Sequence, residues 1–241
     1  MQKENASFDS LNSDQSVNLE RKLAEFAAGI GHELNNPLAS IGGRVQLLMK
    51  TTKDEQLRRD LSDVYSEVKR AGDLIADIRL YACPPVPVLD SVNVTELLHS
   101  VVNSFTGLCA EKNIRLDFSK PLSNPIIKAD YSQMNVLFSA LVRNSMEALE
   151  NDSREFEKRI SVLVKPVENN VEIIVSDNGS GLTDEEKEHA FDPYYSARQA
   201  NRGLGFGLCK AQKIAQMHGA KISIESNPGE GTRVIVALNC K

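Results

Sequence analysis

Apolar side chains in the first third of the chain recur at steps of three and four residues, the spacing of one face of an amphipathic helix. They are Leu19, Leu23, Phe26, Ile30, Leu34, Leu38, Ile41, Val45 and Leu48. This spacing predicts a long helix over about residues 17–51, and the polar residues 51–54 predict the turn that ends it.

A second apolar series follows the turn and alternates steps of four and three residues, as a heptad repeat does. Its members are Leu57, Leu61, Val64, Val68, Ala71, Ile75, Ile78 and Ala82. This series predicts a second helix over about residues 55–81. Two long helices joined by a short turn form an antiparallel hairpin.

The apolar face of this hairpin is too wide for one hairpin to bury. Two hairpins can pair into a dimeric four-helix bundle, which makes the protein a homodimer, or one hairpin can cap the rest of its own chain. The heptad spacing favours the dimer. We assign residues 18–83 to the hairpin, after a polar and flexible lead-in at residues 1–17.

Three prolines within residues 84–87 cannot continue a helix, so residues 84–90 are predicted to be a semi-stiff extended linker. Beyond it, residues 91–241 alternate short strand patterns with helical ones. Strands are predicted near 91–94, 114–118, 124–130, 159–165, 171–176, 221–225 and 232–238, and helices near 95–112 (capped by Thr95), 131–150 and 205–218. The fold class is therefore α+β: the helical hairpin precedes an α/β sandwich with one mixed, largely antiparallel sheet and helices on one face.

Composition narrows the functional classes. The chain has 241 residues, of which 41% are hydrophobic and 25% charged, as in a soluble globular protein, and this length has room for one large domain or two small ones. The net charge of −5 does not favour nucleic-acid binding. No apolar run approaches the roughly 18–20 residues that a membrane span needs, and the polar N-terminus does not resemble a signal peptide. The four cysteines have no paired spacing, which favours a reducing cytoplasm without a disulfide framework or a zinc site.

One candidate nucleophile lies in the first helix. His32 is two residues from both Ile30 and Leu34, so it falls outside the apolar stripe and should face water. A neutral imidazole there can act as a nucleophile. Glu33 can take its proton as a general base, and Asn36, one helical turn on, can position a water molecule. Taken alone, however, an exposed histidine on a helix is more often a solvated residue.

Two stretches of the second domain combine polar side chains with apolar surroundings. Arg143 and Asn144 interrupt an apolar helix; an amide oxygen can bind Mg²⁺ when phosphates supply most of the charge, and an arginine can contact a phosphate. Asp177 ends an apolar strand and precedes Gly179 and Gly181. These glycines let the backbone approach a flat ligand, while the carboxylate can accept a hydrogen bond from an exocyclic amine.

Further candidate residues lie in a polar loop over residues 191–203, which has the character of a lid, and here Ser196 and Arg198 can face phosphates. Glycines 203, 205 and 207 then open a helix, where exposed backbone N–H groups can bind an anion. A last glycine turn precedes Thr232.

Taken together, these stretches resemble the conserved boxes of two-component sensor histidine kinases, in the family's order and spacing, over residues 19–241. The boxes are the H-box (32–37, His-Glu-Leu-Asn-Asn-Pro), the N-box (141–148), the G1 box (177–181), the F-box (191–198), the G2 box (203–208) and the closing glycine turn (229–232).

The resemblance implies an ATP-dependent kinase that phosphorylates itself on His32 and passes the phosphoryl group to an aspartate in the receiver domain of a response regulator. It implies ATP and Mg²⁺ as cofactors, with the metal near Asn144. It assigns ATP binding to Arg143, Asn144, Asp177, Gly179, Gly181, Tyr195, Ser196, Arg198, Gly203, Gly205, Gly207, Leu208 and Thr232. A sensor region upstream of this chain would fit the same family.

Three details qualify the resemblance. Ala140 stands one turn before Asn144, where hydrolytic relatives carry a glutamate that activates water, so slow hydrolysis is expected. Ala197 replaces one of two adjacent hydroxyl residues that the family often has. Glu33 and Asn36 resemble a pattern linked to phosphatase activity toward the phosphorylated regulator. A hydrolytic conformational ATPase and a non-catalytic nucleotide-binding scaffold remain as competing functions.

Overall fold

A computed structural model describes residues 29, 31, 33–121, 123–168, 170–193, 195 and 205–240. The chain divides into two compact units between Pro85 and Val86. His32, Ser196, Arg198 and Gly203 lie outside the described residues.

The first unit is a pair of antiparallel helices. Helix α1 covers residues 33–51 and helix α2 runs from Glu55–Ala82, so the helices end within one residue of the predicted positions. Asp54 caps α2 by accepting hydrogen bonds from two backbone N–H groups. Between the helices, Gln46 Nε2 donates to the Tyr65 hydroxyl at 2.6 Å. Gly42 lies so close to α2 that an added Cβ would be 3.5 Å from Val68.

A single hairpin leaves most of its apolar face uncovered. Among the described residues, α2 has no buried side chain, in α1 only Gly42 and Val45 are buried, and Gly31 before α1 is also buried. Large apolar side chains remain exposed at Leu34, Ile41, Leu47, Leu48, Leu57 and Val64. The residues that the apolar pattern identified as a buried stripe are therefore largely unburied within one copy of the chain.

The second unit contains seven strands and four helices in its described part. In chain order they are β1 Asp90–Asn93, α3 Val94–Glu111, β2 Ile114–Ser119, β3 Ile126–Ala129, α4 Tyr131–Glu150, β4 Lys158–Val167, β5 Asn170–Asp177, α5 Asp184–His189, α6 Gly207–Met217, β6 Lys221–Asn227 and β7 Gly231–Asn239.

Five of these strands form a mixed sheet in the order β2-β4-β5-β7-β6, in which only β2 and β4 are parallel. Strands β1 and β3 pair with each other in a separate antiparallel ribbon, so the prediction of a single sheet was wrong. Each ribbon strand has four residues and leads directly into the capped start of a helix. Among the described residues, the ribbon connects to the end of the main sheet through an isolated bridge between Ile127 and Cys240.

The core lies between the sheet and the helices. Alternate residues of the central strands are buried, as a sheet covered on one face requires, and they are Ile160, Val162, Val164, Val171, Ile173, Val175, Val234, Val236 and Leu238. Helix α4 packs against both α3 and α6. It contributes the fully buried Met134, Leu137, Phe138 and Leu141.

Two local details differ from the sequence prediction. Helix α3 is capped by Asn93, whose Oδ1 accepts from the N–H groups of Thr95 and Glu96, so the prediction of Thr95 as the cap was wrong. Asparagine is among the strongest N-cap residues, and Asn93, the last residue of β1, directly precedes α3. Helix α5 was not predicted, because its six residues are too few for a periodic apolar pattern. The signal that could have revealed it is the capping box formed by Thr183 and Glu186.

The beginning of α4 and the end of α6 lie close together, beside Val88 near the start of the second unit. Asp130 caps α4, and its Oδ2 accepts a hydrogen bond from the Val88 N–H at 3.0 Å. The Asp130 N–H donates to His218 Nε2, also at 3.0 Å, just after the last turn of α6. Val88 is thus held to the helices that form the site described below.

Candidate active site

The start of α6 lies against the side chain of Asn144. A Cβ added to Gly207 would be 2.5 Å from Asn144 Oδ1 and 3.0 Å from Nδ2, so only glycine fits without displacing the amide. Ala140, one turn earlier on α4, is buried and carries no group that can take a proton. The N-box and the G2 box are therefore adjacent, as the resemblance implies.

Helix α6 begins without a side-chain cap. Phe206 occupies the N-cap position and makes no capping hydrogen bond through its side chain. Gly205, just before it, has a φ of +70°, a conformation that glycine adopts at little cost. The first N–H groups of a helix have no partner within the helix and attract anions, so this end suits a phosphate. Leu208 follows in the first turn and is half-buried.

Asp177 at the end of β5 is held in a fixed orientation. Its Oδ1 accepts hydrogen bonds from the N–H of Gly179 at 3.0 Å and from the N–H of Thr232 at 3.3 Å. A Cβ on Gly179 would also come within 3.6 Å of Ala148 on α4. The G1 turn thus packs against the helix that carries Asn144.

The G1 turn interlocks with the turn between β6 and β7. Gly181 and Gly231 have φ values of +69° and +88°, and a Cβ on either would overlap backbone atoms of the opposite turn. Ser226 Oγ donates to the Gly231 carbonyl at 2.7 Å and accepts from the Leu182 N–H at 2.9 Å. Both glycines are therefore required by a close approach between backbones.

Arg143 has a different neighbour from Asn144. Its side chain is exposed, and its guanidinium carbon lies 5.8 Å from the ring centroid of Phe105 on α3. Consecutive residues on a helix point about 100° apart, so Arg143 lies toward α3 while Asn144 lies toward α6. The phosphate contact of Arg143 remains a prediction.

The described part of the F-box region contains a pair of aromatic rings that are tilted against each other. Tyr195 is half-buried and its ring centroid lies 5.4 Å from that of His189. His189 Nδ1 is 2.7 Å from Asp192 Oδ2, and this hydrogen bond raises the pKa of His189 above its usual value. Tyr195 is thus placed at the beginning of the loop that the sequence predicted to be a lid.

In the helical hairpin, Glu33 and Asn36 are exposed residues of α1, three positions apart and so on the same side of the helix. Both side chains are available to a substrate or partner. Their roles beside His32 remain predictions.

Two family models match this chain. The His Kinase A (phospho-acceptor) domain matches residues 22–84, and the histidine kinase-, DNA gyrase B- and HSP90-like ATPase matches residues 129–241. The chain belongs to the two-component sensor histidine kinases. The H-box residues fall within the first match, and Asn144, Asp177 and Gly207 fall within the second.

Known histidine kinases resemble the chain over most of its length. Sporulation kinase C of Bacillus subtilis (strain 168) is 28% identical over 220 residues, which covers 90% of this chain and 49% of the relative. Full-length ShkA in complex with AMPPNP has a TM-score of 0.76 at 20% identity and covers 91% of this chain and 47% of ShkA. Histidine kinase ThkA in complex with response regulator protein TrrA has a TM-score of 0.66 at 24% identity, over 96% and 67% of the two chains. At these identities the two structures establish the fold alone.

The chain spans between about a quarter and a half of the length of its curated relatives. Within the described residues, no helix is both long and apolar enough to cross a bilayer. The same residues contain no group of three or more His, Cys, Asp or Glu side chains arranged to hold a metal ion.

One group of residues next to the candidate site was not predicted from the sequence. Arg154, in the loop after α4, contacts both Asp152 and the carbonyl oxygen of Gly229 in the β6–β7 turn. The contact between Arg154 and Gly229 joins positions 75 residues apart, so no local motif announces it. The only sequence signal was an acidic and a basic residue two positions apart in a loop.

Proposed function

We propose that this chain is the catalytic core of a sensor histidine kinase that transfers the γ-phosphoryl group of ATP to His32 and then to an aspartate in a response-regulator receiver domain. The observation that carries the proposal is the contact between Asn144 and Gly207 at the uncapped start of α6, in the unit that also fixes Asp177. This arrangement offers a phosphate-binding end and a group for the adenine of one nucleotide.

In this proposal the Asp177 carboxylate accepts a hydrogen bond from the adenine amino group, with Thr232 and the G1 glycines beside the base. The first turn of α6 receives the phosphates, with Gly205, Gly207 and Leu208 contributing to the cradle. Ser196, Arg198 and Gly203 complete the phosphate end, Tyr195 borders the nucleotide, and Arg143 adds positive charge.

Asn144 fits a role as a Mg²⁺ ligand, because an amide oxygen is a suitable neutral donor beside phosphates. Its amide lies directly against the start of α6, where phosphates are expected. No acidic cluster accompanies it in the described part of the chain, so phosphate oxygens and water would supply the remaining ligands. The bound ion would neutralise charge that develops on the transferring group.

The transfer needs one nucleophile and one proton acceptor. A ring nitrogen of His32 forms a P–N bond while the bond between the γ-phosphorus and the bridging oxygen breaks, and ADP leaves. Glu33 receives the proton from the other ring nitrogen. An aspartate oxygen of the receiver domain then attacks the phosphorus, the P–N bond breaks, and the imidazole recovers its proton.

Ala140 distinguishes this function from that of a hydrolytic ATPase. Because it is buried and has no ionisable group, no side chain at that position can activate water. Bound ATP is then preserved for His32. Release of ADP at an undiminished rate in a His32→Gln variant would favour the hydrolytic alternative.

Glu33 and Asn36 motivate a second activity at the same helix. Both are exposed and share one side of α1, so Asn36 can orient water toward a phosphorylated aspartate on a docked receiver domain. We propose dephosphorylation of the regulator as this activity. An Asn36→Ala variant that keeps autophosphorylation but loses regulator dephosphorylation would support it.

We also propose that the hairpin pairs with a second copy to form a four-helix bundle. Exposed apolar residues lie along both α1 and α2. Between the helices an open groove of about 580 Å³ is lined by the apolar residues Leu38, Val64, Val68 and Ala71, with Asp63, Ser66 and Glu67 beside them. Isolated apolar residues on a surface need no partner, but a continuous stripe along two helices does. Bringing two such grooves together would bury the stripe of both copies.

The proposed organisation is a phospho-acceptor hairpin at residues 18–83, a linker at 84–90 and an ATP-binding domain at 91–241. The linker would let the ATP-binding domain approach His32. The cytoplasm, which supplies ATP and keeps thiols reduced, is the proposed location, with a sensor region upstream.

The decisive experiment is a time course with γ-labelled ATP and Mg²⁺ that compares the wild type with His32→Gln. The expected product is an acid-labile, base-stable label that the variant lacks and that transfers to a receiver domain. Label that persists in the variant would refute His32 as the acceptor. A wild type that binds ATP but takes up no label would favour the alternative function, a non-catalytic nucleotide-binding scaffold.

A further inference from the structure

We propose that Arg154 is a positioning residue for adenine recognition, which it supports by tying the end of α4 to the β6–β7 turn. The inference rests on the proposed function, because it assumes that Asp177 reads adenine. In this proposal Arg154 acts through backbone atoms of the β6–β7 turn and the G1 turn, and it does not itself contact the nucleotide.

The first part of the device is a two-pronged pair between Arg154 and Asp152. Arg154 Nε donates to Asp152 Oδ1 at 2.9 Å, and Nη2 donates to Oδ2 at 2.5 Å. The Asp152 side chain is only 4% exposed, and its pKa is held below the usual range chiefly by the hydrogen bond from Arg154. Pairs with this fork geometry are stronger and more directional than a single ionic contact.

The anchor for this pair is the end of α4. The Asp152 N–H donates to the Leu149 carbonyl at 3.3 Å, and Lys158 Nζ donates to the Asp152 carbonyl at 3.2 Å. The Arg154 guanidinium also lies over the ring of Phe156 at 4.9 Å. The Arg154 side chain is therefore held by two residues of its own loop, Asp152 and Phe156, before it reaches the turn.

The second part is the contact with the turn. Arg154 Nη1 donates to the Gly229 carbonyl at 3.0 Å, and the Gly229 N–H donates to the Ser180 carbonyl at 2.6 Å. One residue of the β6–β7 turn thus connects Arg154 to the G1 turn. Ser180 lies between the two glycines that shape the site beside Asp177.

The third step leads to the carboxylate. Two residues after Gly229, the close backbone approach of Gly231 to Asp177 begins β7, and the next N–H, from Thr232, donates to Asp177 Oδ1. A displaced β6–β7 turn would therefore change the direction of the carboxylate. Misplacement of a group by about 1 Å is enough to cost much of its contribution to recognition.

A plain structural role makes a different prediction. If Arg154 only stabilised its own loop, its loss would lower the thermal stability of the domain and leave the nucleotide affinity of the folded protein unchanged. If it positions Asp177, its loss weakens every adenine nucleotide and narrows the preference for adenine over guanine, while the phosphate-binding end is unaffected.

The test compares Arg154→Met and Arg154→Lys with a matched control, Arg159→Met, in the full chain. The Arg154 and Arg159 side chains are 47% and 46% exposed, and the charge partners of the Arg159 side chain, Glu157 and Asp117, are part of neither turn. The backbone of Arg159 is hydrogen-bonded to Asn178 of the G1 turn, and Arg159→Met leaves these backbone groups in place. Titrations give the dissociation constants of ATP, ADP and GTP, and labelling gives KM and kcat for autophosphorylation.

We expect Arg154→Met to raise the dissociation constants of ATP and ADP by the same factor of about ten, the effect of losing one charge-assisted hydrogen bond. The preference for ATP over GTP, measured as the ratio of their dissociation constants, becomes smaller. KM for ATP rises by the same factor as the dissociation constant, and kcat at saturating ATP changes less than about twofold. Arg154→Lys keeps the charge but cannot serve Asp152 and Gly229 together. It tests the same losses should the Met variant not fold, and Arg159→Met behaves as the wild type.

The inference is overturned if folded Arg154 variants bind ATP and ADP as tightly as the wild type, or if their only change is a lower melting temperature. A wild type that binds no ATP would instead remove the proposed function. The two failures are therefore distinguished in one series of titrations.

Discussion

Replacing Gly207 by alanine should separate the stability of the ATP-binding domain from its activity. The added Cβ would be 2.5 Å from Asn144 Oδ1, whereas ordinary contact begins at 3.4 Å. The carboxamide must therefore move by about 0.9 Å, since the helix backbone is less free to shift than the end of a side chain. A displacement of about 1 Å at a catalytic group can cost about a hundredfold in rate.

The fold itself should tolerate this substitution. Gly207 is the first residue of α6, where alanine keeps only part of the advantage of about 0.8–1.0 kcal/mol that it has over glycine in a helix interior, so this gain offsets the crowded amide and the melting temperature is expected to change little. The expected result is a Gly207→Ala protein that unfolds normally but autophosphorylates about a hundred times more slowly with Mg²⁺-ATP.

Gly107→Ala is the matched control. It lies on α3 of the same unit, and an added Cβ there would meet no atom within 4 Å. This variant should gain about 0.5–1 kcal/mol of stability and keep full activity. The assays are a thermal melt followed by circular dichroism and single-turnover labelling with γ-labelled ATP.

A double variant tests the route of the effect. If Gly207 acts by leaving room for Asn144, then adding Gly207→Ala to Asn144→Ala should cost little further activity, because the displaced group is already gone. Full activity in the single Gly207→Ala variant would refute the reasoning, as would additive losses in the double variant.

Three further predictions concern other parts of the chain. Val64→Lys puts a charge in the apolar groove of the hairpin and should turn a dimer into a monomer in sedimentation; an unchanged mass would contradict the proposed bundle. A proton NMR titration should give His189 a pKa above its usual 6.5, and Asp192→Asn should lower that pKa. Because the pKa is raised by folding, protonated His189 stabilises the fold at pH below 6.5, and this stabilisation is lost as the pH rises through the pKa of the folded protein. The Asp130 pKa is lowered, first by the Val88 N–H, so Asp130 stabilises the fold above its unfolded pKa near 3.8 and loses that contribution as the pH falls through the folded value. Asparagine keeps the cap but loses the charge, and hydrogen bonds to a charged group are stronger than those to a neutral one, so Asp130→Asn should cost about 1 kcal/mol in urea unfolding at pH 7 and less at pH 3. An equal loss at both pH values would contradict this linkage.

The sequence predicted those elements whose signals are local and long. The bounds of α4 agree with the prediction because its apolar positions repeat over five turns and Asp130 is a strong cap. The pairing of β1 with β3 was missed because strand pairing depends on contacts between distant residues.

The candidate site divides in the same way. Asn144, Asp177 and Gly207 were predictable because each lies in a short contiguous motif. The separate directions of Arg143 and Asn144 depend on how α4 packs between α3 and α6, which the motif does not contain. Arg154 was invisible because its role depends on a turn far along the chain.

The hydrogen bond from the Val88 N–H to Asp130 sets a length for the tether between the two units. Helix α2 ends at Ala82, so six residue steps separate it from the first backbone group that Asp130 holds. An extended chain of this length reaches about 20 Å at most. A tether this short holds the two units that it joins at an effective concentration on the order of millimolar. In the proposed function, the encounter between ATP and His32 depends on this tether, so the autophosphorylation rate per assembled protein should not vary with the amount of protein in solution.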